Sequence, residues 1–248
     1  MEGYDASTYG ERFADVYDDW YGDLTDVPAT VAVLAGLADG GAVLELGVGT
    51  GRLAIPLAAQ GLEVHGVDAS PAMLDRLRAK SGAGAVHVVA GDFADVSVTV
   101  AGGFALAFVA FNTLFNLASE EAQRRCFANV ASLLRPGGAF VVEAAAPDPD
   151  AVTSGGGVTT RAVTADRVEL QATVVDEVAQ TISGSTVTIT AAGTTLRPWH
   201  IRWDTPVQHD GMAAMAGLER AARWAGWNGV DHVPDDTRHV TLYRRARA

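Results

Sequence analysis

Gly47, Gly49 and Gly51 stand at alternate positions immediately after the apolar run VLEL, which contains Glu45, and a second run, VHGVD, closes on Asp68. Glycine lets backbone approach a bound group closely and tolerates positive φ. A helix starting near Gly51 would turn free N–H groups toward that group, and a carboxylate at the end of the next strand can accept both hydroxyls of a ribose. The chemistry predicted is the binding of a nucleoside-bearing cofactor. The dinucleotide fingerprint G-x-G-x-x-G/A calls for a small residue at position 52, where this chain has Arg52. The phosphate-loop pattern fails as well, because no lysine follows these glycines and Lys80 is the only lysine in the chain.

The elements that must position these residues follow from periodicity. Aromatic and apolar residues at 9, 13, 16, 17, 20 and 21 predict a helix over residues 7–22, and Pro28 starts a second one that Gly40-Gly41 ends. Residues 53–60 read as helix, with Pro56 tolerable only near the first turn. Ser70-Pro71 supplies an N-cap and first-position proline for a helix carrying Met73, Leu74 and Leu77. Strands are predicted at 85–90, 104–111 and 139–144, the second a continuous apolar run of the kind covered on both faces. A helix at 119–134 is expected to stop at Pro136-Gly137-Gly138.

This alternation argues for an α/β fold with a parallel sheet. Residues 158–207 instead alternate polar and apolar positions, which predicts an antiparallel β excursion. A helix containing Met212, Met215, Leu218 and Ala222 is expected to run to Gly226. Strands at 227–233 and 238–244 would then close a seven-stranded sheet, the last running antiparallel.

The 248 residues carry 30 acidic against 18 basic side chains, a net charge of −12, with no basic block suited to phosphate tracking. Nucleic acid is therefore not expected as a partner, and a neutral or cationic substrate is favoured over a polyanion. Cys126 stands alone, on the apolar face of its predicted helix, so neither a disulfide nor a cysteine metal site is available. His209, His232 and His239 lack metal-ligand spacing, and no metal is expected. With no signal-peptide pattern and no long apolar run, a cytoplasmic, membrane-free protein is expected.

The form E-x-G-x-G-x-G, Glu45 to Gly51, resembles the first motif of class I S-adenosylmethionine-dependent methyltransferases. Four more matches follow in order: Asp68, Asp92-Phe93, Asn112 in FVAFNTLFNL, and LLRPGGAFVVE. The resemblance implies a Rossmann-like doubly wound seven-stranded sheet, mostly parallel with an antiparallel last strand, plus an antiparallel β insertion. It implies S-adenosyl-L-methionine as cofactor. Glu45, Gly47, Gly49 and Gly51 are then expected around its methionine portion, Asp68 on the ribose hydroxyls, and Asp92 with Phe93 beside the adenine, with Ala69 and Met73 as further cofactor contacts. Tyr17 and Asn112 complete the expected cofactor residues.

The aromatic first segment resembles the lid of small-molecule methyltransferases such as glycine N-methyltransferases and amino-sugar N,N-dimethyltransferases, which also carry a β insertion after the fifth strand. The division implied is a lid at 1–27, a cofactor-binding core at 28–146, an insertion over the acceptor at 147–208, and a closing segment at 209–248. The expected reaction is methyl transfer to a nitrogen or oxygen of a small molecule, with a homodimer through the insertion as one further implication. Tyr9, Trp20, Tyr21, Phe115, Trp199 and His200 are the expected acceptor contacts. If a base is needed, His200 ranks first and Glu143 second. A cofactor-fold protein that senses without methylating, or a nicotinamide-dependent oxidoreductase, are the alternatives, the latter disfavoured by Arg52.

Overall fold

The computed structural model describes residues 1–22, 26–147 and 149–247; residues 23–25, inside the expected lid, lie outside them. Two short helices, Thr8–Phe13 (α1) and Tyr17–Tyr21 (α2), lead to Val27–Ala38 (α3). The alternation then runs Val43–Leu46 (β1), Ala54–Ala59 (α4), Val64–Asp68 (β2), Pro71–Arg78 (α5), Val86–Ala90 (β3), Phe104–Val109 (β4), Glu120–Leu133 (α6) and Leu134–Ala145 (β5). After the short helix Pro149–Thr153 (α7) come four strands with no helix between them: Gly156–Val163 (β6), Arg167–Asp176 (β7), Thr181–Thr190 (β8) and Gly193–Arg202 (β9). Pro206–Met215 (α8), Leu218–Trp224 (β10) and Arg238–Arg245 (β11) close the chain.

The main sheet has the order β10-β11-β5-β4-β1-β2-β3. The five strands β1 to β5 are mutually parallel, and β11 runs antiparallel to β5 and to β10. All six residues of β4 are buried, because helices cover both faces. Leu106 and Phe108 pack with Leu34 of α3 and Leu77 of α5 on one side. Ala107 and Val109 pack with Phe127 of α6 and Met212 of α8 on the other. The strand order reverses between β1 and β4, which opens a crevice at their carboxyl ends where folds of this type bind ligands. The strands β6 to β9 form a separate antiparallel meander. This is the predicted architecture, an α/β doubly wound sheet with an antiparallel last strand and an antiparallel insertion.

Local differences have identifiable causes. The first helix is broken at residues 14–16, so the aromatic stripe bends round the crevice instead of lying along one rod. Tyr9 stacks on Phe13 at 4.5 Å, and Tyr9 meets Tyr17 edge-on at 6.5 Å across the break. The turn of helix after the glycines starts at Ala54, not near Gly51, which leaves Pro56 in the first turn as required. Pro136, Gly137 and Gly138 lie within β5, whose partner β4 absorbs the irregularity by a register shift between Phe104 and Leu106.

The closing helix ends at Met215, because Gly217 adopts φ 76° and the chain reverses. Leu218 and Ala222, expected on that helix, belong to β10, which pairs with β11 along its whole length. Residues 227–233 form no strand; a single bridge joins Asp231 to Trp224. The excursion ends at Arg202, and residues 203–205 lead into α8, capped by Thr205 with Gln208.

Candidate functional site

The turn after β1 is held by β2. The Gly47 and Val48 N–H groups both donate to the Val67 carbonyl, at 2.8 and 2.9 Å. Asp68 accepts from the Gly49 N–H at 2.8 Å with one carboxylate oxygen and from the Ser70 N–H at 2.9 Å with the other. Each oxygen keeps further lone pairs for a ligand. Burial raises the Asp68 pKa, and the Ser70 and Gly49 amides oppose that rise.

Gly47, at φ 69°, passes so close to Thr113 that a Cβ would lie 2.3 Å from Cγ2. Gly49, at φ 53°, faces open space instead: a Cβ there would meet no heavy atom within 4 Å. The first glycine serves packing and the second leaves room on the crevice side.

Glu45 lies behind this turn, 5% exposed, with Oε2 lacking a hydrogen-bond partner among the described residues. Burial pushes its pKa up to about 8, with Arg52 and the Ala54 N–H pulling it down. Asp92 caps the short turn that carries Phe93, accepting from the Ala94 N–H at 2.8 Å.

Eight of the expected cofactor residues line one crevice: Tyr17, Gly47, Gly49, Asp68, Ala69, Met73, Asp92 and Phe93. Glu45 and Gly51 do not reach its surface, and Asn112 borders the neighbouring cavity. Thr113, Asn116 and Leu117 line the crevice without having been expected there. They follow Asn112 directly, and the one-turn spacing of 113 and 116 was the available sign.

The neighbouring chamber, of about 210 Å³, is enclosed by the first two helices, the loop after β4 and the inner face of the four-stranded sheet. Tyr9, Tyr17, Thr113 and Asn116 line both cavities, so the two join there. The loop after β4 is strained, since Phe111 and Asn112 have successive positive φ values of 56° and 62°. It is clamped from β5. The Phe111 N–H donates to Glu143 Oε2 at 2.9 Å, and the Ala145 N–H donates to Asn112 Oδ1 at 2.6 Å.

Of the expected acceptor contacts, Tyr9, Tyr21 and Trp199 line the chamber, whereas Trp20, Phe115 and His200 do not. Phe115 is buried with Ala144, Ile182 and Trp203. Trp20 is stacked beneath Arg161 at 4.8 Å and Arg197 at 5.8 Å. Strand alternation turns Trp199 and Ile201 inward and His200 outward, where its Nδ1 lies 2.9 Å from Ser183 Oγ and its ring 6.0 Å from Tyr4. Glu143, the other expected base, is 4% exposed and lines neither cavity. Chamber residues not expected from sequence include Phe13, Phe111, Arg161, Gln171, Thr186 and Ile201. Gln171 and Thr186 face each other across β7 and β8.

The first helices are tied down by carboxylates. Glu11 accepts from Ser70 Oγ at 2.8 Å and from the Ala72 N–H at 2.9 Å. Asp18 accepts from Thr50 Oγ1 at 2.6 Å and from Lys80 Nζ at 2.9 Å. Arg197 grips Asp15 with two bonds of 2.7 and 2.8 Å.

A family model for a methyltransferase domain matches residues 43–138, from β1 into β5. The cypemycin N-terminal methyltransferase of a Streptomyces species is 32% identical over 223 residues, covering 87% of this chain and 88% of that protein. The chain belongs to the class I S-adenosylmethionine-dependent methyltransferases. Among solved structures, this methyltransferase is similar to the CcbJ methyltransferase from Streptomyces caelestis, at 39% identity and a TM-score of 0.87 over 99% of this chain and 100% of that one. It also shares its fold with the S-adenosylmethionine-bound amino pentose methyltransferase CalS10 from Micromonospora echinaspora, at 21% identity and a TM-score of 0.69 over 93% and 97% of the two chains. Membership in this family removes the nicotinamide alternative. Among the described residues no helix of the methyltransferase is long and apolar enough to cross a membrane, and no group of His, Cys, Asp or Glu is placed to hold a metal ion.

Proposed function

We propose that this enzyme methylates an amine nitrogen of a small, natural-product-like molecule. The observation that carries the choice of nitrogen is the chemistry of the chamber wall: among the described residues it presents no histidine and no carboxylate. His200 faces outward, and Glu143 is occupied by the Phe111 N–H. The phenols are poor bases as well. Burial pushes Tyr17 up to about 12 and Tyr9 well above its usual range, so both keep their protons at neutral pH. A hydroxyl acceptor would need a base to take its proton, whereas an amine needs only to arrive neutral. The name of the cypemycin relative, an N-terminal methyltransferase, supports the same choice.

When bound, S-adenosylmethionine supplies a methyl group activated by its sulfonium. The crevice residues fit that group. Asp68 retains acceptor capacity for a ribose diol, Phe93 offers an apolar wall for a purine, and Gly49 leaves the space that a side chain would fill. The unpartnered Glu45 Oε2 leaves a buried polar atom behind the turn that would cradle the methionine portion. Tyr9, Tyr17, Thr113 and Asn116, shared by both cavities, would surround the point of transfer. Their task is to hold the nucleophile in line and to exclude water. The Tyr faces add cation–π stabilisation of about 0.5–2 kcal/mol each near the developing ammonium. In this reading residues 1–27 act as the lid and the β6 to β9 sheet covers the acceptor.

The test is a pair of activity profiles with S-adenosylmethionine and matched amine and alcohol acceptors. We expect turnover of the amine alone, with kcat/KM rising until the pH passes the pKa of the amine. Equal turnover of the alcohol, or a rise set by an enzyme group common to all acceptors, would overturn the assignment to nitrogen.

A further inference from the structure

The acceptor chamber carries one formal charge on its wall. Arg161 is the only lining residue, among those described, that is ionised at neutral pH. It owes its place to a bulge in β6: Thr160 pairs with Leu170 and Ala162 with Glu169, which leaves Arg161 as the extra residue between them. A bulge releases the side chain of the extra residue from the strict alternation of its strand. Here it carries the guanidinium to the Trp20 ring, 4.8 Å from the centroid, where the first helices meet the sheet.

Among the described residues Arg161 also lacks a counter-ion, in a chain with 30 acidic residues against 18 basic ones. Arg197, over the same indole, is neutralised by two bonds to Asp15. Arg161 has only the indole face among the described residues. Stacking fixes the plane of the guanidinium and leaves its N–H edge available, the arrangement that suits a bidentate anion. Gln171 and Thr186 add an amide and a hydroxyl to the same wall.

Resting on the reading of this chamber as the acceptor site, we propose that Arg161, with Gln171 and Thr186, binds an anionic group of the acceptor, a carboxylate or a phosphate, remote from the nitrogen that is methylated. The separation follows from the lining. Arg161 borders the chamber but not the crevice, whereas the residues shared by both cavities mark the point of transfer. The electrostatics point the same way. An ammonium form of the acceptor would meet two positive charges, the guanidinium and the sulfonium, whereas a neutral amine meets neither repulsion and a distant anion on the same molecule adds an attraction to the guanidinium. The net charge of −12, which favoured a neutral or cationic substrate, is reversed locally.

The experiment is a tryptophan-fluorescence titration of the S-adenosylhomocysteine-loaded protein with benzoate, phenyl phosphate and the uncharged benzamide. We expect at least one anion to bind about tenfold more tightly than benzamide, as a charge-assisted contact should. Arg161→Gln should erase that preference and leave benzamide binding unchanged. Tighter phenyl phosphate than benzoate would assign a phosphate, and the reverse a carboxylate. Equal binding of all three probes, absence of saturable anion binding, or a preference that survives Arg161→Gln would overturn the proposal. Calorimetry of S-adenosylhomocysteine binding in the same sample separates the two levels. Failure to bind it counts against the site reading, and failure of the anions alone counts against Arg161.

Discussion

The two joined cavities are built from different materials. The proposed cofactor crevice is organised by main chain, a glycine turn, two strand ends and the amides that Asp68 gathers, with side chains such as Tyr17, Met73 and Phe93 lining it. The proposed acceptor chamber draws its lining from two short helices, a strained loop and one face of a four-stranded sheet. A main-chain site depends on where glycines and strand ends fall, and it changes little when surface residues do. A side-chain site can be rebuilt one residue at a time on the same scaffold. The crevice should therefore respond sharply to loss of its few organising groups, and the chamber should respond by altered selectivity.

The largest effect is expected at Asp68. Asp68→Ala removes the acceptor for two amides as well as the proposed ribose contact, and should weaken S-adenosylhomocysteine binding by about 1–3 kcal/mol, read by calorimetry. Unchanged affinity would mean that the turn is self-supporting.

Glu143 comes next, as the clamp on the chamber's strained loop. Glu143→Ala should cost about 1–2 kcal/mol of stability in denaturant titrations, because the Phe111 N–H loses its partner. Glu143→Gln keeps an acceptor and should retain most of the activity with the same pH profile. Loss of one limb of that profile in the glutamine variant would make Glu143 a base after all.

A pH-dependent effect on stability belongs to Glu45. Its pKa in the fold is raised from an ordinary 4.5 to about 8, chiefly by burial, so the fold favours the protonated carboxyl. The stability tied to this group is fully present below about pH 4.5 and is lost as the pH rises toward 8. Thermal midpoints of the ligand-free protein should fall over that window, and Glu45→Gln should flatten the decline. A slope identical in both proteins would place its origin elsewhere. The smallest change is expected at His200, where His200→Ala should leave kcat/KM within about threefold, since the ring is turned away from the chamber. A hundredfold loss would restore it as the base.

The same contrast explains what the sequence made legible. Strand, glycine turn and strand-end acid occupy consecutive stretches of chain, so Gly47, Gly49, Asp68, Asp92 and Phe93 could be named before the fold was known. The chamber depends on which face of each insertion strand turns inward. Two-residue alternation defines two faces at His200 and Trp199 without saying which is inside. The bulge at Arg161 leaves no mark in a pattern of single residues, and neither does the break between α1 and α2, because every aromatic position fits a continuous helix. Near the chain end, Met212, Leu218 and Ala222 suited a helix by spacing, yet Leu218 and Ala222 are strand residues because the edge of β11 required a partner. There tertiary pairing outweighed local preference.

One glycine of the insertion has a wider consequence. Gly184 lies opposite Trp199 on β8, and a Cβ there would sit 2.4 Å from the indole. The wall of the proposed acceptor chamber is thus adjusted from a position on the neighbouring strand. Any side chain at 184 would press the indole toward the cavity and narrow it with every lining residue unchanged. Substrate range in this enzyme can drift through such supporting positions, and a comparison of its relatives limited to the residues that face the ligand would overlook the cause.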